Sequence, residues 1–143
     1  MSEGFDLQRF VDAQQGVIEA ALMELRSGRK QNHWMWFVFP QLAGLGRSAI
    51  ARHYGIGSYQ EAASYLAHPL LGSRLRDCVD TVLAWAGRRT AEEIFGQVDA
   101  MKLKSCLTLF ECVEPNGSFA MALERFYGGE RDGQTLALLG EPL

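Results

Sequence analysis

The chain has little with which to staple itself, hold a metal or cross a membrane. Its three cysteines, Cys78, Cys106 and Cys112, form no Cys-x-x-Cys pair. That odd set excludes a simple disulfide framework and fits buried thiols in a reducing compartment. The three histidines, His33, His53 and His68, stand in no His-x-x-x-His or His/Cys cluster, so no metal site is expected and no cofactor is called for. The longest apolar run, Trp34 to Phe39, is far short of the ~20 residues that span a bilayer. Met1 to Asp6 lacks the basic and apolar regions of a secretory leader. A cytoplasmic location without membrane attachment is expected. There is no internal repeat, low-complexity tract or convincing alternating strand pair, which removes solenoids and gives no support to a two-domain arrangement.

What is present is the pattern of one helical domain over residues 1–143, large enough to bury roughly two-thirds of its unfolded surface. Leu7, Phe10, Val11, Val17, Ile18, Ala21, Leu22 and Leu25 recur at steps of three and four, predicting one helix capped by Asp6 and stopped at Ser27-Gly28. Ser58-Tyr59-Gln60-Glu61 and Thr90-Ala91-Glu92-Glu93 have capping-box spacing and predict two further helix starts. Between them, His68-Pro69 breaks one helix, and an amphipathic segment with Leu71, Leu75, Cys78, Val79, Val82 and Trp85 inward ends at Gly87. Gly96 stops the next, and Asp99 is placed to cap its successor. Met101 to Val113 is apolar over a wide arc and reads as a central helix, with Lys104, Thr108 and Glu111 on a narrower polar face. Pro115 to Ser118 turns into a helix through Phe126, and a short helix covers Gln134 to Leu139. The expectation is an all-α, single compact multihelical domain of about six to eight helices.

Net charge is only −3, but it is unevenly spread. Residues 25–76 hold seven basic residues against the single acid Glu61, a net of +6, and all three histidines; the remainder carries −9. Such polarity points to a small anionic ligand or an acidic partner surface. Bulk nucleic-acid binding is not expected of a chain that is acidic overall.

The densest chemistry is His33-Trp34-Met35-Trp36-Phe37-Val38-Phe39-Pro40-Gln41, followed by Gly44-Leu45-Gly46-Arg47-Ser48. Pro40 disfavours helix at Phe39 and predicts an irregular or extended stretch. Phe37 and Phe39 read as core, while Trp34 and Trp36 are equally suited to stacking on a planar group. His33 and Gln41 flank them as polar orienting groups. The loop lacks the Lys-Ser/Thr ending of a phosphate-binding loop, but Arg47 is a bidentate donor and Ser48 a helix start. On the central helix, Lys102, Lys104, Ser105 and Thr108 are polar groups on an apolar element, as they would be if aimed at a cavity.

The motif HWMWFVFPQ from His33, with GLG from Gly44, YGI from Tyr54, HPLLG from His68, IFG from Ile94 and KLKSCLTLF from Lys102, resembles an uncharacterised bacterial family known as domain of unknown function 1810. Its members are sometimes labelled calpastatin, a label that suits a long disordered inhibitor and not this compact chain. The resemblance implies a single all-helical domain and no settled activity or catalytic residues.

Two functions are therefore expected. The first is binding of a small anionic, phosphate-bearing or nucleotide-like ligand between the aromatic run and the Lys102 to Glu111 helix, using His33, Trp34, Trp36, Gln41, Arg47, Ser48, Lys104 and Thr108. The second is docking of an acidic partner through the basic segment. No catalytic signature is legible in either.

Overall fold

Ten helices, and no strand, follow one another through residues 4–140, the residues that this computed structural model describes. Met1–Glu3, part of the stretch read above for a leader, lies outside them. The predicted all-α class holds, and the helix count exceeds the expected six to eight because some elements are shorter than the periodicity implied.

The first predicted helix is two, α1 (Gln8–Gln14) and α2 (Ile18–Arg26), parted at Gly16, whose φ of +76° is a left-handed conformation open mainly to glycine. The apolar spacing runs on across the break because both helices bury residues in one core, so periodicity alone cannot see it. Asp6 does not cap α1, which starts from Leu7 without a side-chain bond. Gln14 ends α1 in the interior and is fully used there. Its Nε2 donates to the Phe37 carbonyl at 2.7 Å and to the Tyr65 hydroxyl at 3.1 Å, and its Oε1 accepts from Arg74 at 3.2 Å.

The aromatic run makes a single turn, α3 (Met35–Val38), ahead of the irregular stretch expected at Phe39. It stops at Phe39, with φ −121° and ψ 73°, as Pro40 requires. An isolated parallel bridge between Leu42 and Ile56 brackets α4 (Ala49–Tyr54), whose start is capped by the Ser48 hydroxyl accepting from Ala51 N at 3.2 Å. At α5 (Tyr59–Ala67) only half the predicted capping box forms. Ser58 accepts from Glu61 N at 3.1 Å, but the Glu61 carboxylate takes Gly57 N at 2.8 Å and the Arg9 guanidinium at 3.0 Å instead.

After α6 (Leu71–Leu83), α7 (Ala91–Phe95) has the complete Thr90/Glu93 box. In α8 (Gln97–Val113) the first residue follows Gly96 directly, and Asp99 sits within the first turn, pairing with Lys30 and Lys102 rather than capping. Two helices complete the chain, α9 (Ser118–Tyr127) and α10 (Gly133–Leu139), the latter capped by Asp132. As expected, α8 is central: Leu103, Cys106, Leu107, Leu109 and Phe110 are buried, and α5, α7, α9 and α10 pack on it. Phe110 meets Tyr65 and Phe119 at ring separations of 5.4 and 5.8 Å. Cys78 and Cys106 are buried as predicted, while Cys112 is half-buried. Among the described residues no helix is long and apolar enough to cross a membrane.

One crossing is set by a missing side chain. Gly72, buried in the first turn of α6, lies so close to the end of α5 that a Cβ would sit 2.1 Å from the Leu66 carbonyl oxygen. Because the obstacle is backbone, Gly72→Ala is expected to cost about 3 kcal/mol in urea unfolding. Gly133→Ala, facing open space, should change stability little; equal midpoints for the two variants would contradict this close approach.

Candidate functional site

The course of the chain from α2 to the aromatic run is set by Glu24. Its Oε1 accepts from Gln31 N at 2.7 Å, Asn32 N at 3.0 Å and Trp34 Nε1 at 3.0 Å, and its Oε2 accepts from Asn32 Nδ2 at 2.7 Å. Burial pushes the Glu24 pKa up, but these bonds to the charged form outweigh it and hold the group at about 2. Trp34 is thereby drawn into the core with 1 % of its surface exposed, its ring 5.0 Å from the Lys30 ammonium. Phe39 is wholly buried against Phe95 and Trp34, and Phe37 packs on Tyr54, so both phenylalanines serve the core as expected.

Trp36 emerges on the other side of the turn, half-buried, and there the aromatic run meets α8. A cavity of about 240 Å³ lies between Trp36, Gln41 and Leu45 on one side and Met101, Lys102 and Ser105 on the other. Asp132 and Gln134 close one end of it. A second hollow of about 350 Å³ shares Leu45 and Gln134 and is lined by Arg47 and Leu138, so the two adjoin as one groove. Gly46 makes the near wall possible, since a Cβ there would stand 2.7 Å from Ala51 Cβ and 3.3 Å from the Trp36 ring.

Gln41 is the unusual member. Its backbone is fixed beside the isolated bridge, with its carbonyl accepting from Ile56 N at 2.9 Å. The residue is 7 % exposed and its Nε2 has no hydrogen-bond partner. Leaving such a donor unsatisfied costs roughly 1–3 kcal/mol, a penalty folded proteins rarely retain. Above it, the Lys102 ammonium lies 4.2 Å from the Trp36 ring centroid and 3.0 Å from Asp99. Asp99 also holds Lys30 at 2.8 Å, so two ammonium groups share one carboxylate. Burial raises the Asp99 pKa, and the two lysines pull it further, to below the usual carboxylate range.

The other residues singled out in the sequence fall elsewhere. Lys104 pairs with Glu130, and Thr108 is fully buried, donating to the Lys104 carbonyl at 2.8 Å and accepting from Asp132 N at 2.9 Å. Glu111 takes Arg131, with Nε at 2.9 Å. The polar face of Lys104, Thr108 and Glu111 is thus the strip that seats residues 130–132. Ser48 spends its hydroxyl on the α4 cap, and His33 is exposed away from the groove. Of the basic segment, Lys30 and Arg76 are bound by acids from outside it, whereas Arg29, Arg47 and Arg52 are exposed. The structure therefore brings Trp36, Gln41 and Arg47 to one groove and, of the four polar groups expected to face a cavity from the central helix, sets Lys102 and Ser105 in its wall. The sequence reading missed Asp132 and Gln134. The spacing Asp132-x-x-Thr135, in which Asp132 Oδ2 accepts from Thr135 N at 3.1 Å and from Ser105 Oγ at 3.2 Å, was the signal that could have located them.

No curated protein matches the chain. Residues 4–139 match the family model described as "Protein of unknown function (DUF1810)". The crystal structure of the conserved hypothetical protein Rv1873 from Mycobacterium tuberculosis is 50 % identical, covering 98 % of this chain and 100 % of that one, with a TM-score of 0.93.

The depressed Glu24 pKa fixes a pH dependence. Folded at about 2 against an ordinary 4.5, the group stabilises the fold fully above pH 4.5 and loses that contribution as pH falls toward 2. Glu24→Gln is expected to cost roughly 1.5–3 kcal/mol at pH 7 in urea melts. Its deficit relative to wild type should shrink as pH falls from 4.5 to 2.5; a constant deficit would count against the assignment.

Proposed function

The chain belongs to the DUF1810 family of proteins of unknown function, and for it we propose a binding role: the groove between the aromatic run and α8 takes a small anionic ligand, phosphate-bearing or nucleotide-like. The observation that carries this reading is the buried, partnerless amide nitrogen of Gln41, a residue that lines the cavity. A ligand oxygen supplies the acceptor that the protein withholds. Lys102 supplies charge: it shares Asp99 with Lys30, and with Arg47 counted against Asp99 and Asp132 the groove keeps a surplus of one cation. Arg47, exposed at the far end, adds a fork that grips phosphate or carboxylate in two places. As the anion draws Lys102 off the indole, the Trp36 face opens to a planar or apolar ligand body. The two hollows together, at about 240 and 350 Å³, match the ~300–1,000 Å³ of small-molecule sites.

A second reading, docking of an acidic partner, rests on a different observation. Val98, Met101 and Leu138 line the same groove with 68 %, 71 % and 54 % of their surface exposed, next to Lys102 and Arg47. An exposed apolar edge set among cations suits an acidic, apolar segment.

Thermal denaturation with nucleoside monophosphates separates the two. At a hundredfold excess over Kd the wild type should melt roughly 5–10 °C higher. Lys102→Ala and Arg47→Ala should lose most of that shift. No shift in the wild type, or equal shifts in all three proteins, would remove the small-ligand reading and leave the partner reading.

A further inference from the structure

Among the described residues, two buried side-chain atoms lack a partner, and both belong to residues that line hollows. One is Gln41 Nε2. The other is Arg89 Nε, in a residue that lines a separate hollow, and from it we propose a second site: the hollow between the turn at Gly87–Glu93 and the end of α9 binds a phosphate group, as free phosphate or a phosphomonoester. This inference does not rest on the groove.

The hollow measures about 340 Å³ and gathers Arg88, Arg89 and Arg125 with Glu92, Glu93 and Phe126. None of the three arginines forms an ion pair among the described residues. Arg89 is held ready. Its aliphatic stem lies against the Gly28 backbone, where a Cβ would come within 3.0 Å of Arg89 Cδ and 2.8 Å of the Trp85 indole. Gly28, with φ +74°, is what admits both side chains. Arg89 Nη2 makes one long bond, 3.3 Å, to the Glu93 carbonyl, and Nε makes none. The Nε–Nη2 edge is the side of a guanidinium that takes two oxygens of one oxyanion, so the edge best suited to phosphate is the one left nearly unused. Arg88 is fixed nearby by stacking 4.7 Å from the Trp85 ring centroid. Arg125 stands exposed in the last turn of α9.

The two acids do not cancel this charge. Glu93 turns its carboxylate to Thr90 N at 2.8 Å, and that backbone bond holds it ionised and occupied within the capping box. With Glu92 and Glu93 both counted against the three arginines, a surplus of one cation remains around the hollow. Phe126, half-buried, gives a phosphomonoester an apolar edge on which to rest.

The test uses arginine Nε–H resonances in 1H–15N spectra of the full chain titrated with inorganic phosphate, with chloride at matched ionic strength as control. Phosphate, but not chloride, should shift the Arg89 Nε–H signal saturably at millimolar concentration. Arg125→Gln, at an exposed position that does not threaten folding, should weaken the apparent Kd about tenfold. Lys102→Gln in the groove should leave it unchanged. An Arg89 signal that does not move, that moves equally with chloride, or whose titration is altered by Lys102→Gln and not by Arg125→Gln would overturn the proposal. Because the groove variant and this one read out separately, failure here leaves the groove reading standing.

Discussion

Four hydrogen bonds converge on the Glu24 carboxylate, and the path of the chain from α2 to Gln41 follows from them. A carboxylate that accepts two backbone amides, an amide side chain and an indole N–H stays ionised and fixes the loop it serves. It closes the turn after Gly28, seats Trp34 in the core and so decides which face of the short α3 turn looks outward. That face carries Trp36. Pro40 then ends the turn and the bridge to Ile56 fixes Gln41, so two groove residues are placed by one acid ten or more positions away.

The central helix carries the other half. Its apolar arc holds α5, α7 and α9, which leaves two polar faces with different fates. Along Lys104, Thr108 and Glu111 every polar group meets a partner from residues 130–132, and the strip is closed. Along Lys102 and Ser105 the same helix borders a cavity with a partnerless amide opposite. Buried polar groups are otherwise matched almost throughout, as in the three-way use of Gln14, so the exceptions at Gln41 and Arg89 stand out.

Much of this was legible from neighbours in sequence. The Thr90/Glu93 box, the stop at Gly28 and the break at Pro40 are local chemistry within one helical turn, and the central role of residues 101–113 shows in an apolar arc along one helix. The break at Gly16 is hidden by an apolar spacing that runs on across it, and the other departures turn on which partner a charged side chain finds. Glu61 had the spacing to complete a box and instead met Arg9, 52 positions earlier. Asp99 looked like a cap and is held by Lys30 and Lys102. Helical spacing groups Lys104, and not Lys102, with Thr108, but nothing in spacing reveals that Glu130 pairs with it. Trp34 and Trp36 are equivalent by composition, and only Glu24 separates core from groove.

The most direct measurement is a 1H–15N spectrum of the protein titrated with adenosine monophosphate, with the indole N–H signals of Trp34 and Trp36 and the side-chain amide of Gln41 assigned. If the groove is the binding site, the Gln41 amide and the Trp36 indole should shift together along one saturable curve, while the Trp34 indole, bonded to Glu24, stays in place. Shifts at Trp34, or a saturating shift elsewhere with Gln41 and Trp36 unmoved, would contradict it.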